Sequence, residues 1–174
     1  ISMSILKHVV FDTESRDSYL KMSKKLRGAE DNGDMVEENV SEVAKVLTDD
    51  ELARLSSDEE FILTVTRRGF GKRTSAYEYR ITGRGGSGIV SIATSKRNGD
   101  VVASFPVENT DQVMMITDSG RLIRTPIGDV RIAGRATQGV TMFSTGGEEY
   151  VTSVAHLPFD ESEMVEDESH ESQS

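Results

Sequence analysis

Cysteine is absent from this chain, and histidine occurs only as His8, His156 and His170. The first absence removes disulfides, thiol nucleophiles and cysteine zinc sites together, and it suits a reducing compartment. The second leaves no spacing that would gather imidazoles around a metal ion. No apolar run approaches the roughly 20 residues that span a bilayer, and no charged start precedes a short apolar stretch as in a secretion signal. The sequence therefore reads as cytoplasmic, with no membrane partner. Aromatic residues are sparse, and Phe70, Tyr77 and Tyr79 make no evident platform for stacking single-stranded bases. The chain opens on Ile1 rather than Met, which suggests a piece of something longer.

Charge is present in quantity but unevenly placed. The net charge of −10 divides into −7 for residues 1–60 (8 Lys/Arg, 15 Asp/Glu), +4 for 61–159 (12 and 8) and −7 for 160–174 (0 and 7). An acidic whole thus hides a basic middle, and the regional balance favours nucleic acid where the total would argue against it.

That basic middle is a repeat. Residues 61–92 align with 112–143 at an offset of 51 without a gap, and nine positions are identical: Thr66/Thr117, Gly69/Gly120, Arg73/Arg124, Thr74/Thr125, Arg80/Arg131, Ile81/Ile132, Gly83/Gly134, Arg84/Arg135 and Gly88/Gly139. A period near 50 residues with short apolar runs and glycine turns marks stacked β-units, none able to bury its own face alone. Each copy reads as a four-stranded antiparallel blade. The first has FILTVT, a turn at Arg68-Gly69, GKRTS, a tight corner leading to Arg80 and Ile81, GIVSIAT, an Asn98-Gly99 hairpin and DVVASFPV. The second has QVMMIT, a turn at Ser119-Gly120, RLIRT, GVTMF, a Gly146-Gly147 turn and YVTSVAHL.

The fold class expected is all-β, with propeller-like blades over 61–111 and 112–159. Residues 1–11, ISMSILKHVVF, match the last strand of the repeat and read as the closing strand of a preceding blade. Residues 12–60 read as an acidic insertion, partly helical or disordered, acting as a solvated spacer. Within it, 13–27 is helical with Tyr19, Met22 and Leu26 on one face. A flexible linker covers 28–39, and short helices cover 41–47 and 48–55, the second opened by the capping box Thr48-x-x-Glu51. Residues 160–174 read as a disordered acidic tail able to compete with phosphate for the basic rim.

The loop Gly83-Arg84-Gly85-Gly86-Ser87-Gly88 fits the dinucleotide pattern G-x-G-x-x-G, but that pattern needs a helix after it and here a β-rich run follows. Its second copy, GRATQG, keeps only the outer glycines, so the loop is a matter of backbone geometry. The candidate ligand groups are cations near turns and strand ends. They are Arg67, Arg68, Lys72, Arg73, Arg80, Arg84, Lys96 and Arg97 in the first unit, and Arg121, Arg124, Arg131 and Arg135 in the second. Such groups also protect exposed sheet edges. Their recurrence in register instead predicts a row of phosphate contacts along bent duplex DNA, indifferent to base sequence. Tyr77 and Tyr79 flank Glu78 and read as corner packing.

The runs GFGKRTSAYEYRITGRGGSGIVSI and QVMMITDSGRLIRTPIGDVRIAGRATQGVTMF, with the opening ISMSIL, closely resemble the C-terminal domain of bacterial DNA gyrase A subunits. The resemblance implies a six-bladed β-pinwheel that wraps duplex DNA and supports ATP-dependent negative supercoiling by a type IIA topoisomerase. It places this chain at the end of the fourth blade, the fifth and sixth blades, and the tail. It also implies a parent complex of two A and two B subunits using ATP and Mg2+, associated with the chromosome, while the catalytic tyrosine, DNA gate and ATPase lie outside this sequence. The chain itself is then non-catalytic and needs no cofactor. The family's box, glutamine-arginine-arginine-glycine-glycine-lysine-glycine, is matched in phase by Thr82–Gly88, with Thr82, Gly83 and Ser87 replacing the glutamine, first arginine and lysine. Alternative readings are the corresponding C-terminal domain of topoisomerase IV, or a propeller-type protein-interaction scaffold.

Overall fold

The computed structural model describes residues 3–7, 9–28 and 46–159. Two helices, α1 (Thr13–Gly28) and α2 (Asp49–Ser57), precede the strands β1 (Phe61–Thr66), β2 (Phe70–Ser75), β3 (Val101–Val107), β4 (Gln112–Thr117), β5 (Leu122–Pro126), β6 (Val140–Thr141) and β7 (Val151–Leu157). Short 3-10 turns at Ala76–Glu78 and Ile127–Asp129 form the two corners. The expected linker at 28–39 begins on the last residue of α1 and otherwise lies outside the described residues, as do most of the expected helix at 41–47 and the tail at 160–174.

Strand pairing repeats with the same offset as the sequence. β1 lies between β2 and β3, β4 between β5 and β7, and all pairings are antiparallel. Ile62 faces Thr74 as Val113 faces Thr125, and a register shift falls at Val65/Thr66 and again at Ile116/Thr117. Alternation along the central strands sends Leu63 and Val65, and then Val113 and Met115, into one shared core with Val107, Ile127, Val130 and Val151. Each such side chain contributes about 1.5–3 kcal/mol by leaving water. One core serves both units.

The fourth strand is not built as the sequence suggests. β6 belongs to the second copy, yet it pairs with β2 of the first through Phe70↔Thr141 and Gly71↔Val140. The first sheet is therefore ordered β3-β1-β2-β6, and the second has three strands, β5-β4-β7. The run GIVSIAT, counterpart of β6, forms no strand; by the pattern of β6, its partner would be the second strand of a preceding unit. No hairpin is formed at Asn98-Gly99 either. Ser95–Gly99 is a turn closed by the Gly99 amide on Ser95 O at 2.9 Å, around a fully buried Asn98. Residues 3–7 and 9–11, within the segment read as the closing strand of a preceding unit, form no strand with the two sheets, and Val9 and Phe11 pack on a second cluster.

For residues 12–28 and 46–60, that cluster also corrects the reading of 12–60 as a solvated spacer. Tyr19, Leu55 and Tyr77 are buried together, with Leu20, Leu47 and Leu52 beside them. Tyr77 donates its hydroxyl to Leu55 O at 2.9 Å and meets Phe11 and Tyr19 edge-on, at 4.9 and 5.7 Å between ring centres. The buried stripe of α1 is Ser15, Ser18, Tyr19 and Ser23, whose small side chains allow close approach, while Leu26 is 76% exposed. α2 starts at the capping box as read, with Glu51 N on Thr48 Oγ1 at 3.2 Å and Thr48 N on Glu51 Oε2 at 3.0 Å. The described parts of the insertion, residues 12–28 and 46–60, are docked on the first corner.

Where the exchanged strand arrives, backbone approaches backbone. Gly139 has φ +78, and a Cβ there would stand 2.8 Å from Gly71 O; Gly85 has the same φ with nothing within 4 Å. The recurring Gly88/Gly139 pair has positive φ as the repeat implied, but Gly83/Gly134 does not. Gly139→Ala should lower the unfolding free energy by about 3 kcal/mol, against about 1 kcal/mol for Gly85→Ala, measured by urea denaturation.

Asp111 fastens the second unit's far end. Its carboxylate accepts from the amides of Glu108 (2.7 Å) and Phe159 (3.1 Å) and contacts His156 Nε2 at 2.7 Å. Burial alone would raise its pKa, but the Glu108 amide, His156 and the Phe159 amide outweigh burial and hold it below the ordinary carboxylate value. A depressed carboxylate contributes stability above its unfolded pKa and loses it as pH falls through the folded one. Asp111→Asn should therefore be less stable than wild type at pH 7, with the gap narrowing below about pH 4.

Candidate nucleic-acid interface

The twelve candidate cations separate into groups with different fates. Two are not available to any ligand. Lys72 is fully buried, and its Nζ donates to Gly134 O (2.5 Å), Arg135 O (2.9 Å), Thr137 O (3.2 Å) and Thr137 Oγ1 (3.3 Å). Burial pushes its pKa down to about 8, Glu78 pulling back up and Arg135 adding to the fall. Arg73 is also buried, with Nε on Val130 O (2.7 Å), Nη1 on Asn109 Oδ1 (2.8 Å) and Nη2 on Gly128 O (3.1 Å). Both cations tie the first unit's β2 to backbone of the second, so their reading as phosphate ligands is corrected.

A second group gathers at the turn ends of the two sheets. The β1–β2 turn joins the second unit through Val151 N on Arg67 O at 2.8 Å, and it joins the turn at 95–99 through Arg67 N on Asp100 O (2.8 Å) and Arg68 N on Asn98 O (3.1 Å). Arg67 and Arg68 both lie over the Tyr150 ring, at 4.7 and 5.6 Å, and Arg97 lies over Phe70 at 5.1 Å. Lys96 is exposed beside Arg97. Arg121, from the β4–β5 turn, lies over Phe143 at 4.5 Å and pairs with Glu149 at 2.8 Å. Glu149 is held down to about 2 by hydrogen bonds from Ser119 first, then Thr117, the Gly146 amide and Arg121. Stacking on an aromatic face restricts a guanidinium while leaving its planar edge for oxygen acceptors.

The third group occupies the corner end. Arg80 and Arg84 are exposed on the loop after the first corner, and Arg131 is exposed after the second. Arg135 is half-buried, its amide on Glu78 Oε2 at 2.9 Å, its Nη1 on Val90 O at 3.3 Å and its Nε 3.8 Å from Glu78 Oε2. Arg124 holds Gln112 Oε1 on the open face of β5. The two ends are separated by the length of the strands, so the twelve do not form one site.

Sequence reasoning missed the aromatic partners Tyr150 and Phe143 and the turn-closing Asn98. Tyr150 and Phe143 sit in loops whose pairing depends on the strand exchange, which leaves no local pattern to find. Among the described residues no group of His, Asp and Glu could hold a metal ion, and no helix is long and apolar enough to cross a membrane.

Two β-units that complete one sheet by exchanging a strand, with basic turns aligned along one end, define a propeller-type repeat module. A family model described as the DNA gyrase C-terminal domain, beta-propeller, matches residues 60–108 and 111–158, more than half of the chain. The chain belongs to that family. It is 48% identical to the DNA gyrase A subunit of Granulibacter bethesdensis over 96% of its own length and 19% of the relative's, so it spans about a fifth of the protein it matches. A solved DNA gyrase A C-terminal domain superposes with a TM-score of 0.53 at 24% identity, covering 57% of this chain and 34% of that one. The C-terminal domain of a DNA topoisomerase IV does so with a TM-score of 0.53 at 20% identity, covering 66% and 36%. These two likenesses concern the fold.

The division between buried and exposed cations is measurable. Lys72→Met should cost about 3 kcal/mol of stability, because every hydrogen bond of the buried ammonium is lost, the one to Arg135 O among them. Arg67→Gln should cost less than about 1 kcal/mol, the scale of one exposed cation–π contact. Chemical denaturation of both variants checks the contrast.

Proposed function

We propose that this chain binds duplex DNA through its phosphate backbone as part of the wrapping domain of a DNA gyrase A subunit. The observation that carries this reading is the turn-end row of Arg67, Arg68, Lys96, Arg97 and Arg121, which crosses from one repeat to the next. Guanidinium groups suit phosphate because two parallel donors meet two oxygens, and such contacts follow the backbone without reading bases. Residues 61–111 and 112–159 act as adjacent blades, and 12–60 as an insertion between blade units. The chain supplies contacts rather than chemistry. Strand passage and ATP hydrolysis with Mg2+ belong to the rest of a complex of two A and two B subunits in the bacterial cytoplasm, where wrapping biases the enzyme toward negative supercoils.

Fluorescence anisotropy with a long duplex at several salt concentrations tests this. The log–log slope should have a magnitude of at least about 4, since each phosphate contact contributes about 0.9. Replacing Arg67, Arg68 and Arg97 together by Gln should lower that magnitude by about 2 to 3. Salt-independent binding, or a preference for an acidic protein over duplex, would point to the interaction-scaffold reading instead.

A further inference from the structure

Arg67 and Arg68 are the two central residues of a tight turn, closed by the Gly69 amide on Thr66 O at 3.0 Å. Turns of this kind lie at the surface, where long side chains are free to splay into solvent. In the second repeat the equivalent turn, closed by the Gly120 amide on Thr117 O at 3.1 Å, carries Asp118 and Ser119 instead. The change of charge has a counterpart on the neighbouring strand. Arg67 N donates to Asp100 O, whereas Asp118 N donates to Tyr150 O at 3.0 Å, so Tyr150 stands where the first repeat has Asp100.

Tyr150 joins the two turns. Its amide donates to Asp118 Oδ1 at 3.0 Å and its carbonyl accepts from the Asp118 amide, which ties its backbone to the second turn. The next residue, Val151, donates to Arg67 O at 2.8 Å, which ties it to the first. The ring takes no part in those bonds. Its centre lies 4.7 Å from Arg67 Cζ and 5.6 Å from Arg68 Cζ, so both arginines of the first turn meet on one side chain of the second repeat. The acids at this end are Asp100, Asp118, Glu148 and Glu149. Arg121 takes Glu149, the Tyr150 amide takes Asp118, and Asp100 and Glu148 are exposed. Among the described residues neither Arg67 nor Arg68 forms an ion pair, and the aromatic ring is what their guanidinium groups meet.

Resting on the DNA reading above, we infer that Tyr150 is a positioning residue for the turn-end row: its ring holds the guanidinium groups of Arg67 and Arg68 together as a paired contact for backbone phosphate. The negative face of the ring offsets the repulsion between like charges on successive residues. Restricting both long side chains in advance also removes part of the ordering cost of binding. Tyr150 acts through the arginines and adds no charge of its own.

The test uses the whole chain, a long duplex and the same salt titration. Tyr150→Leu should weaken binding about 5- to 10-fold, while the log–log slope changes by less than about 1 because every cation remains. Tyr150→Phe, which keeps the ring, should bind like wild type. In a chain already carrying Arg67→Gln and Arg68→Gln, Tyr150→Leu should weaken binding no further, since the groups it positions are gone. A merely structural role would instead give the same loss in both backgrounds, and that result overturns the assignment, as does a loss in Tyr150→Phe equal to that in Tyr150→Leu. Wild-type affinity in Tyr150→Leu, while the Arg67/Arg68/Arg97 variant binds weakly, overturns the role of Tyr150 and leaves the DNA reading standing. Absence of salt-dependent binding by every form overturns both.

Discussion

Between the two repeats lies a layer of backbone carbonyls outside any strand ladder, and the ammonium of Lys72 and the guanidinium of Arg73 donate into it. Lys72 reaches three carbonyls of residues 134–137 and Arg73 reaches those of Val130 and Gly128. The exchanged strand β6 is only two residues long, too short to fix the neighbour by its own ladder. An ammonium buried among oxygens is costly to desolvate, and that of Lys72 persists because its protons meet acceptors on residues 134, 135 and 137. Remove those donors and the second repeat loses its seat on β2, the alignment of the turn ends with it.

The same constraint explains why identical residues differ in fate. Arg73 and Arg124 occupy equivalent positions, opposite Leu63 and Met114 in their ladders. β2 is covered by β6 and by the loop after the second corner, so Arg73 is buried. β5 has no such cover among the described residues, so Arg124 is exposed and Leu122 stands 60% exposed on the same strand. A repeat keeps the position of a residue within its unit; the neighbour decides its environment.

This sets the limit of what could be read from the amino-acid order. Period, register, corner positions and the capping box of α2 were legible because each is written locally, in glycine spacing, alternation or an i,i+3 pair. Strand exchange was not, since the offset of 51 gives the phase of each strand but not which sheet it joins. The docking of the insertion was hidden for a related reason. Its buried stripe is mostly serine, which a hydrophobicity pattern passes over, and the apolar partner, Tyr77, belongs to another element. Most of the candidate cations are at the surface as expected, but Lys72 looked like its neighbours because burial among carbonyls leaves no mark in composition.

A sheet finished by its neighbour also governs how such a chain can change in length. Residues may be gained between Phe11 and Phe61 without touching the exchange, and the docked helices occupy that position. A one-residue gain or loss inside β2 or β6 would slip the Phe70↔Thr141 pairing and reverse which face the side chains of β6 occupy. Arrays of this type should therefore grow or shrink by whole units, with ornament confined to the joints between them.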